Sequence, residues 1–311
     1  MEFEKALAVL FFSSSSMVNT VVNKYLVTSL RIKSKFFILS VQTFVIVLML
    51  LFLNYFIARK DLVLAREVAH VWGPVSFSLV LMIYSGLQAN EHLPISLFTV
   101  LKNGSIPLVA LHDWIFFGDA LGALALASFL LIFLSSAIGT VSDEKRHSAL
   151  GNQKFSGKSV TFIGVGWMAV NCLSSASYSI RMSTTVKNTN SPSTVASLYV
   201  NLVALPLLLL FSAAEAASLG VPSSNLRWIV ISGGTSCLIS VATACSARIF
   251  STTTMTMIAA LNKAPMALSG VIFGLEDVGS GWKWASVALA ALSAFLYSVS
   301  RSNPVHPKSV V

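Results

Sequence analysis

A lysine inside an apolar run is the first feature of this sequence that indicates chemistry. Lys263 follows Asn262 within the apolar run 255–275, and Pro265 comes two residues later. An ammonium group is costly in the core of a bilayer, so a lysine at that depth usually serves a function. Pro265 has no N–H to donate to the carbonyl of Leu261, which weakens the helix at the lysine. The pattern predicts a chain that holds Lys263 in a polar cavity.

Two other lysines, Lys24 and Lys102, also lie in apolar segments, whereas the remaining 18 of the 21 lysines and arginines fall outside them. Lys24 is near a segment end and can snorkel to the interface. Lys102 and Lys263 lie deeper and can also serve a structural ion pair or a carbonyl bond. The nearby acidic residues fall at segment ends: Glu91, Asp113, Asp119, Glu215, Glu276 and Asp277. Lysines without acids at their own depth favour an anion from outside the protein, with a diphosphate as one candidate.

Amides accompany each of these lysines. Asn23 precedes Lys24, Asn103 follows Lys102, and Asn262 precedes Lys263. An asparagine side chain offers both hydrogen-bond donors and an acceptor. We expect these amides to bond sugar hydroxyls or the edge of a base.

A second group of polar residues lies in the seventh and eighth apolar segments. Tyr199 and Asn201 can flank a planar base and bond its edge, but a polar contact between helices explains Asn201 equally well. Ser240, Thr243 and Ser246 are spaced three residues apart. They can line a cavity or bond their own backbone, and the second interpretation is slightly favoured.

The composition predicts an all-α polytopic membrane protein. Of 311 residues, 55% are hydrophobic and only 11% are charged, whereas soluble domains carry about 25% charged residues. The length allows about ten helices of roughly 20 residues. The ten apolar segments are 6–27, 36–57, 72–89, 95–117, 120–141, 159–180, 193–214, 226–247, 252–275 and 282–300. The first is interpreted as a retained helix, because Glu2 and Glu4 precede it and a cationic signal region is weak.

Other classes of function find little support in the sequence. The five histidines are scattered, and no HExxH, GxSxG or phosphate-binding glycine-rich motif occurs. Three cysteines in apolar runs argue against a disulfide framework or a metal site. The net charge of +9 is assigned to residues that flank the membrane, with no basic and aromatic cluster for nucleic acid. We therefore expect no enzyme activity, cofactor, metal or nucleic-acid partner.

An internal repeat divides the chain near its middle. The longest polar interval, 142–158, separates five apolar segments from five, giving predicted halves of 1–150 and 151–311. Pro107 and Pro265 are 158 residues apart, as are Asp119 and Asp277. Five helices in each half would invert the second half, with the substrate site between the halves near the midplane. Ten helices place both termini on one side, but the links of each side hold nine lysines and arginines, so charge does not indicate which side.

Three motifs resemble those of nucleotide-sugar transporters in the drug/metabolite transporter superfamily, in particular the Golgi GDP-mannose transporters. They are TVVNKYLV at 20–27, LKN at 101–103, and STTTMTMIAALNKAP at 251–265. The resemblance covers essentially the whole chain. It implies ten helices, both termini in the cytosol, and exchange of a nucleotide sugar for a nucleoside monophosphate.

The same resemblance assigns roles to residues. By position, Tyr199 and Asn201 would contact the base, with Ser240 near it. The ninth-segment positions would face the sugar and the diphosphate: Ala259, Asn262 and Lys263. This sequence departs from the family at three places. Val200 replaces the first of two adjacent asparagines, Ala259 replaces a glycine, and Met255 stands where GDP-mannose members often have tyrosine.

The interpretation from sequence is thus import of GDP-mannose into the Golgi lumen in exchange for GMP by alternating access. A UDP-sugar or phosphorylated-sugar antiporter, a polytopic membrane enzyme and a non-transporting paralogue remain alternatives. A location in the endoplasmic reticulum or in vesicles, and assembly as a homodimer, also remain open.

Overall fold

The computed structural model describes residues 2–28, 34–57, 66–92, 101–117, 122–149, 162–219, 226–261 and 281–302. Within these ranges the chain is helical and contains no strand. The helices are α1 (Glu2–Thr28), α2 (Lys35–Phe52), α3 (Arg66–His92), α4 (Ser105–Phe117), α5 (Ala123–Ala149), α6 (Phe162–Thr189), α7 (Ser193–Leu219), α8 (Leu226–Ile249), α9 (Thr252–Leu261) and α10 (Gly281–Ser302). A π-helical turn, Leu53–Ile57, continues α2. Each helix overlaps one predicted apolar segment, so the all-α prediction is confirmed.

Five described helices are long and apolar enough to cross a membrane. These spans are Phe3–Asn23, Lys35–Tyr55, Val68–Gly86, Ser193–Ala217 and Leu226–Ile249. An apolar helix satisfies its backbone polar groups internally, which is the condition for crossing hydrocarbon. The chain is therefore a multi-pass membrane protein.

The first compact unit comprises Met1–Val80 and Ile180–Ser251. Here α2 packs against both α7 and α8, and α1 packs against α8. Leu26, Ile38 and Ile229 form a buried apolar cluster that joins α1, α2 and α8. Gly233 allows the close approach of α8 to α2, because a Cβ atom there would lie 2.6 Å from the Cβ of Val45. Small residues permit such close helix contacts in membranes.

The second compact unit comprises Leu81–Ser179 and Thr252–Val311. Its described helices pack mainly as α5 against α10 and α4 against α9. Ile106, Phe129, Ile132, Met257 and Tyr297 belong to the buried cluster that joins these four helices. Each compact unit thus contains helices from both halves of the sequence.

Buried and half-buried acids cap helix N-termini in both units. In the first unit, the Glu215 carboxylate accepts the N–H groups of Lys35, Phe36 and Phe37 at 2.7–3.2 Å. In the second, Asp113 Oδ2 accepts the backbone N–H of Thr253 at 3.1 Å and its hydroxyl at 2.6 Å. The first N–H groups of a helix have no partner within it, and a carboxylate also complements the positive end of the helix dipole.

We expect Glu215→Ala to lower the free energy of unfolding by about 1–2 kcal/mol, because the first N–H groups of α2 lose their acceptor. Thermal unfolding in detergent measures the change. Glu215→Gln retains one amide oxygen as an acceptor and should lose less stability than Glu215→Ala. Equal stability of Glu215→Ala and the parent protein would show that the cap contributes nothing.

Candidate functional site

The segment 199–201 of α7 is held against α3 in the first unit. The ring centroid of Tyr199 lies 6.1 Å from that of Trp72, with 52° between the two ring planes. Tyr199 is 7% exposed. The Ser76 hydroxyl donates to the carbonyl oxygen of Val200 at 2.8 Å. Aromatic and polar contacts with α3 therefore fix two successive residues of this segment.

Asn201 faces α8, where it meets Ser240. The Nδ2 group of Asn201 donates to Ser240 Oγ and to the carbonyl oxygen of Ser197, both at 2.8 Å. The hydroxyls of Ser197 and Ser240 also form a hydrogen bond. The structure thus brings two of the predicted base-contacting residues together. Asn201 makes the interhelical polar contact that was one of its two interpretations.

The three hydroxyl residues of α8 behave differently from one another. Thr243 donates to the carbonyl oxygen of Ile239 at 2.8 Å, which is a bond to its own helix. Ser240 instead contacts the side chains of α7. Within the described ranges Ser246 Oγ is buried and has no hydrogen-bond partner. The favoured expectation of self-bonding is correct for Thr243 and wrong for Ser240, because Asn201 and Ser197 approach Ser240 from α7.

Asn23 of α1 contacts a residue that the sequence analysis missed. Its Oδ1 accepts a hydrogen bond from Gln42 Nε2 at 2.7 Å, and the same nitrogen donates to Ser232 Oγ at 2.8 Å. Gln42, the one amide side chain in the largely apolar sequence of α2, was the available signal. Lys24 follows in α1, but its side chain lies outside the described part of the structure.

Lys102 and Asn103 lie at the turn that precedes α4 in the second unit. Asn103 is 2% exposed, and its Nδ2 donates to Ser136 Oγ at 2.6 Å. The side chain of Lys102 is exposed. Cys172 Sγ donates to the carbonyl oxygen of Leu101 at 3.2 Å, which joins the turn to α6. Asn103 therefore anchors the turn to α5, next to the exposed Lys102.

The last of the predicted site residues lie at the end of α9 and beyond it. Ala259 is exposed, whereas Met255 and Met257 on the same helix are buried. Ala259 is thus exposed although Met255, one turn earlier on the same face, is buried. Asn262 and Lys263 lie outside the described residues. In the described ranges no group of three or more histidine, cysteine, aspartate or glutamate side chains could hold a metal ion.

The bond between Asn201 and Ser240 should be measurable by a double-mutant cycle with Asn201→Ala and Ser240→Ala. A buried neutral hydrogen bond predicts a coupling of about 1 kcal/mol in the free energy of unfolding in detergent. Ser183→Ala is the matched control, since Ser183 bonds the carbonyl of Ala247 and not Asn201. Additive effects of Asn201→Ala and Ser240→Ala would contradict the contact.

The sequence is similar over most of its length to proteins named GDP-mannose transporters. It is 33% identical to that of Scheffersomyces stipitis over 307 residues, covering 96% of this chain and 92% of the relative. It is 35% identical to that of Kluyveromyces lactis over 295 residues, covering 93% and 88%. GDP-mannose transporter 1 of Saccharomyces cerevisiae is 33% identical over 307 residues, covering 96% and 91%.

A solved crystal structure shares the fold, with a TM-score of 0.62 at 15% identity over 94% of this chain and 98% of that chain. No protein-family model matches the sequence. The relatives are named transporters, in agreement with the prediction that the chain is not an enzyme. With identities of 33–35% over more than nine-tenths of its length, the chain belongs to the nucleotide-sugar transporter family of the GDP-mannose transporters.

Proposed function

We propose that this chain imports GDP-mannose into the Golgi lumen in exchange for GMP. The observation that carries the proposal is its identity of 33–35% to GDP-mannose transporters over nearly the whole chain. The motifs at 20–27, 101–103 and 251–265 support the same substrate class. Exchange and the Golgi location follow from the resemblance to the family.

The proposed architecture is ten spans arranged as two inverted five-helix repeats. The hydrogen bonds between α5 and α10 support it. Ser135 Oγ donates to the carbonyl oxygen of Ser286, and Ser293 Oγ donates to that of Ser128, both at 2.8 Å. A shift of 158 residues, the spacing of Pro107 and Pro265, takes Ser135 to Ser293 and Ser128 to Ser286. One bond is therefore the image of the other, in keeping with a two-fold relation between repeats. The reverse bond from Ser286 to the carbonyl of Ser135 has no such image, because Ser128 donates to its own helix.

The proposed anion site contains Lys263 with Asn262 and Ala259, supported by Lys102 and Lys24. Asp113 and Glu215 support it indirectly. Their carboxylates accept hydrogen bonds from backbone N–H groups at helix N-termini, so these charges already serve another purpose. A diphosphate would then supply the negative charge that the lysines need in a medium of low polarity. Since the anion offsets the desolvation of Lys263, the loaded carrier reorients more readily than the empty one, which makes exchange obligatory.

The proposed base site contains Tyr199, Asn201 and Ser240. These residues belong to one unit, and Asn201 contacts Ser240 directly. Val200 has an apolar side chain and offers no hydrogen bond to a base. Asn201 is then the amide of this segment that reads the base. Because its Nδ2 donates to Ser197 and Ser240, its Oδ1 is the atom that would accept a bond from the base. A UDP-sugar carrier is the second candidate, since Val200 removes one of the two amides found in GDP-mannose members.

Proteoliposomes loaded with GMP should take up labelled GDP-mannose, whereas empty vesicles should take up much less. Lys263→Ala should lower uptake at least about tenfold, because each hydrogen bond to a charged group contributes roughly 1.5–3 kcal/mol. Lys187→Ala is the matched control, since Lys187 bonds the carbonyl of Phe250 at an exposed position. Equal uptake into empty vesicles would exclude obligatory exchange, and full activity of Lys263→Ala would remove this lysine from the mechanism.

A nucleotide panel in a thermal-shift assay should separate the two substrate candidates. A ligand at 100 times its Kd stabilises the folded protein by about 2.7 kcal/mol. We expect stabilisation by GMP and GDP-mannose, with no shift from UMP or UDP-sugars. Stabilisation by the uridine ligands alone would decide for the UDP-sugar carrier.

Ten spans place both termini on the same side of the membrane. Epitope tags at the two ends should therefore show the same accessibility to antibody in sealed vesicles. A tag in the link 150–161 serves as the control and should show the opposite accessibility. Termini on opposite sides would contradict the ten-span architecture.

A further inference from the structure

A line of hydrogen bonds in the first unit runs from α8 through α2 to α1. Ser232 Oγ donates to the carbonyl oxygen of Ile229 at 2.6 Å. Gln42 Nε2 donates to Ser232 Oγ at 2.8 Å and to Asn23 Oδ1 at 2.7 Å. A backbone carbonyl only accepts hydrogen bonds, so the direction of the whole line is set at Ile229.

The orientation of both amides follows from that direction. The single proton of Ser232 is given to Ile229, so Ser232 must accept from Gln42. The NH2 group of Gln42 therefore faces Ser232, and its second proton goes to Asn23. Asn23 must present its oxygen to Gln42, which leaves its own NH2 group pointing elsewhere.

That NH2 group is available to a ligand. Asn23 is half-buried, and in the described part of the chain its Nδ2 has no hydrogen-bond acceptor. Gln42 is only 4% exposed, so it acts on a ligand through Asn23 and not by contact. One turn earlier on the same face of α1, Asn19 Oδ1 accepts a bond from Ser236 at 2.9 Å. Side chains of α2 and α8 thus donate hydrogen bonds to the side-chain oxygens of both Asn23 and Asn19.

We propose that Gln42 is a positioning residue that holds the NH2 group of Asn23 toward an oxygen atom of the transported nucleotide sugar. An NH2 group with a fixed direction donates to phosphate or hydroxyl oxygens and rejects other donors. The ligand chemistry is therefore an oxygen acceptor, from either the diphosphate or the sugar. This inference rests on the proposed function, because it assumes that a nucleotide sugar enters the unit that contains Asn23.

The test compares binding of guanosine, GMP, GDP and GDP-mannose to purified protein in detergent. Gln42→Met keeps the length of the side chain but removes its donors. It should raise the Kd of every ligand that contacts Asn23 about tenfold, the value of one charge-assisted hydrogen bond. A loss that begins with GMP identifies a phosphate oxygen, and a loss confined to GDP-mannose identifies a sugar hydroxyl. Guanosine should bind the variant as it binds the parent protein.

Asn23→Leu provides the second arm, because it should show the same ligand dependence as Gln42→Met. In the double variant the two effects should not add, since Gln42 acts only through Asn23. Asn54→Leu is the matched control. Asn54 is buried in the π-helical turn that continues α2, and its Oδ1 accepts a hydrogen bond from Thr194. Its loss should reduce stability without changing the pattern of ligand affinities.

Three outcomes would overturn the inference. They are unchanged Kd values in Gln42→Met, an equal loss for all four ligands including guanosine, and the same ligand pattern in Asn54→Leu. The parent protein separates this inference from the function on which it rests. Parent protein that binds none of the guanine ligands overturns both, whereas parent binding with unaffected variants overturns the role of Gln42 alone.

Discussion

Satisfaction of buried polar groups is the constraint on which the described structure depends. In hydrocarbon an unpaired polar group costs several kcal/mol, so buried polar side chains generally need a partner, and Ser246 is an exception in the described ranges. Short side chains meet this need across helices, as in the bonds of Asn201 to Ser240 and of Ser135 to Ser286. The same bonds hold the helices in register, because each one joins a particular residue of one helix to a particular residue of another.

The same constraint applies to the carboxylates of Glu215 and Asp113. Glu215 and Asp113 bond N–H groups at the starts of α2 and α9, where a negative charge is favoured by the helix dipole. Carboxylates used in this way stabilise helix ends. At the proposed anion site a permanent internal ion pair would compete with the ligand that must enter and leave.

The proposed repeat accounts better for the packing of α5 against α10 than for the positions of the lysines. Two of the three serine-to-carbonyl bonds between α5 and α10 are related by a shift of 158 residues. The same shift takes Lys102 to Ala260 and not to Lys263. A site between two such halves would present unlike groups on its two sides. That asymmetry suits a ligand with a base at one end and a sugar at the other.

The sequence by itself determined the helical class, the positions of ten apolar segments and the family, because hydrophobicity, length and short motifs are local properties. It also identified Tyr199, Asn201, Ser240 and Asn23 as residues of interest. Only the tertiary structure decided what these side chains contact. Asn201 and Ser240 are 39 residues apart, Asp113 and Thr253 are 140 apart, and Gln42 meets Ser232 across 190 residues. No local pattern encodes such pairings, since the partner of each side chain is decided by which helix packs against its own.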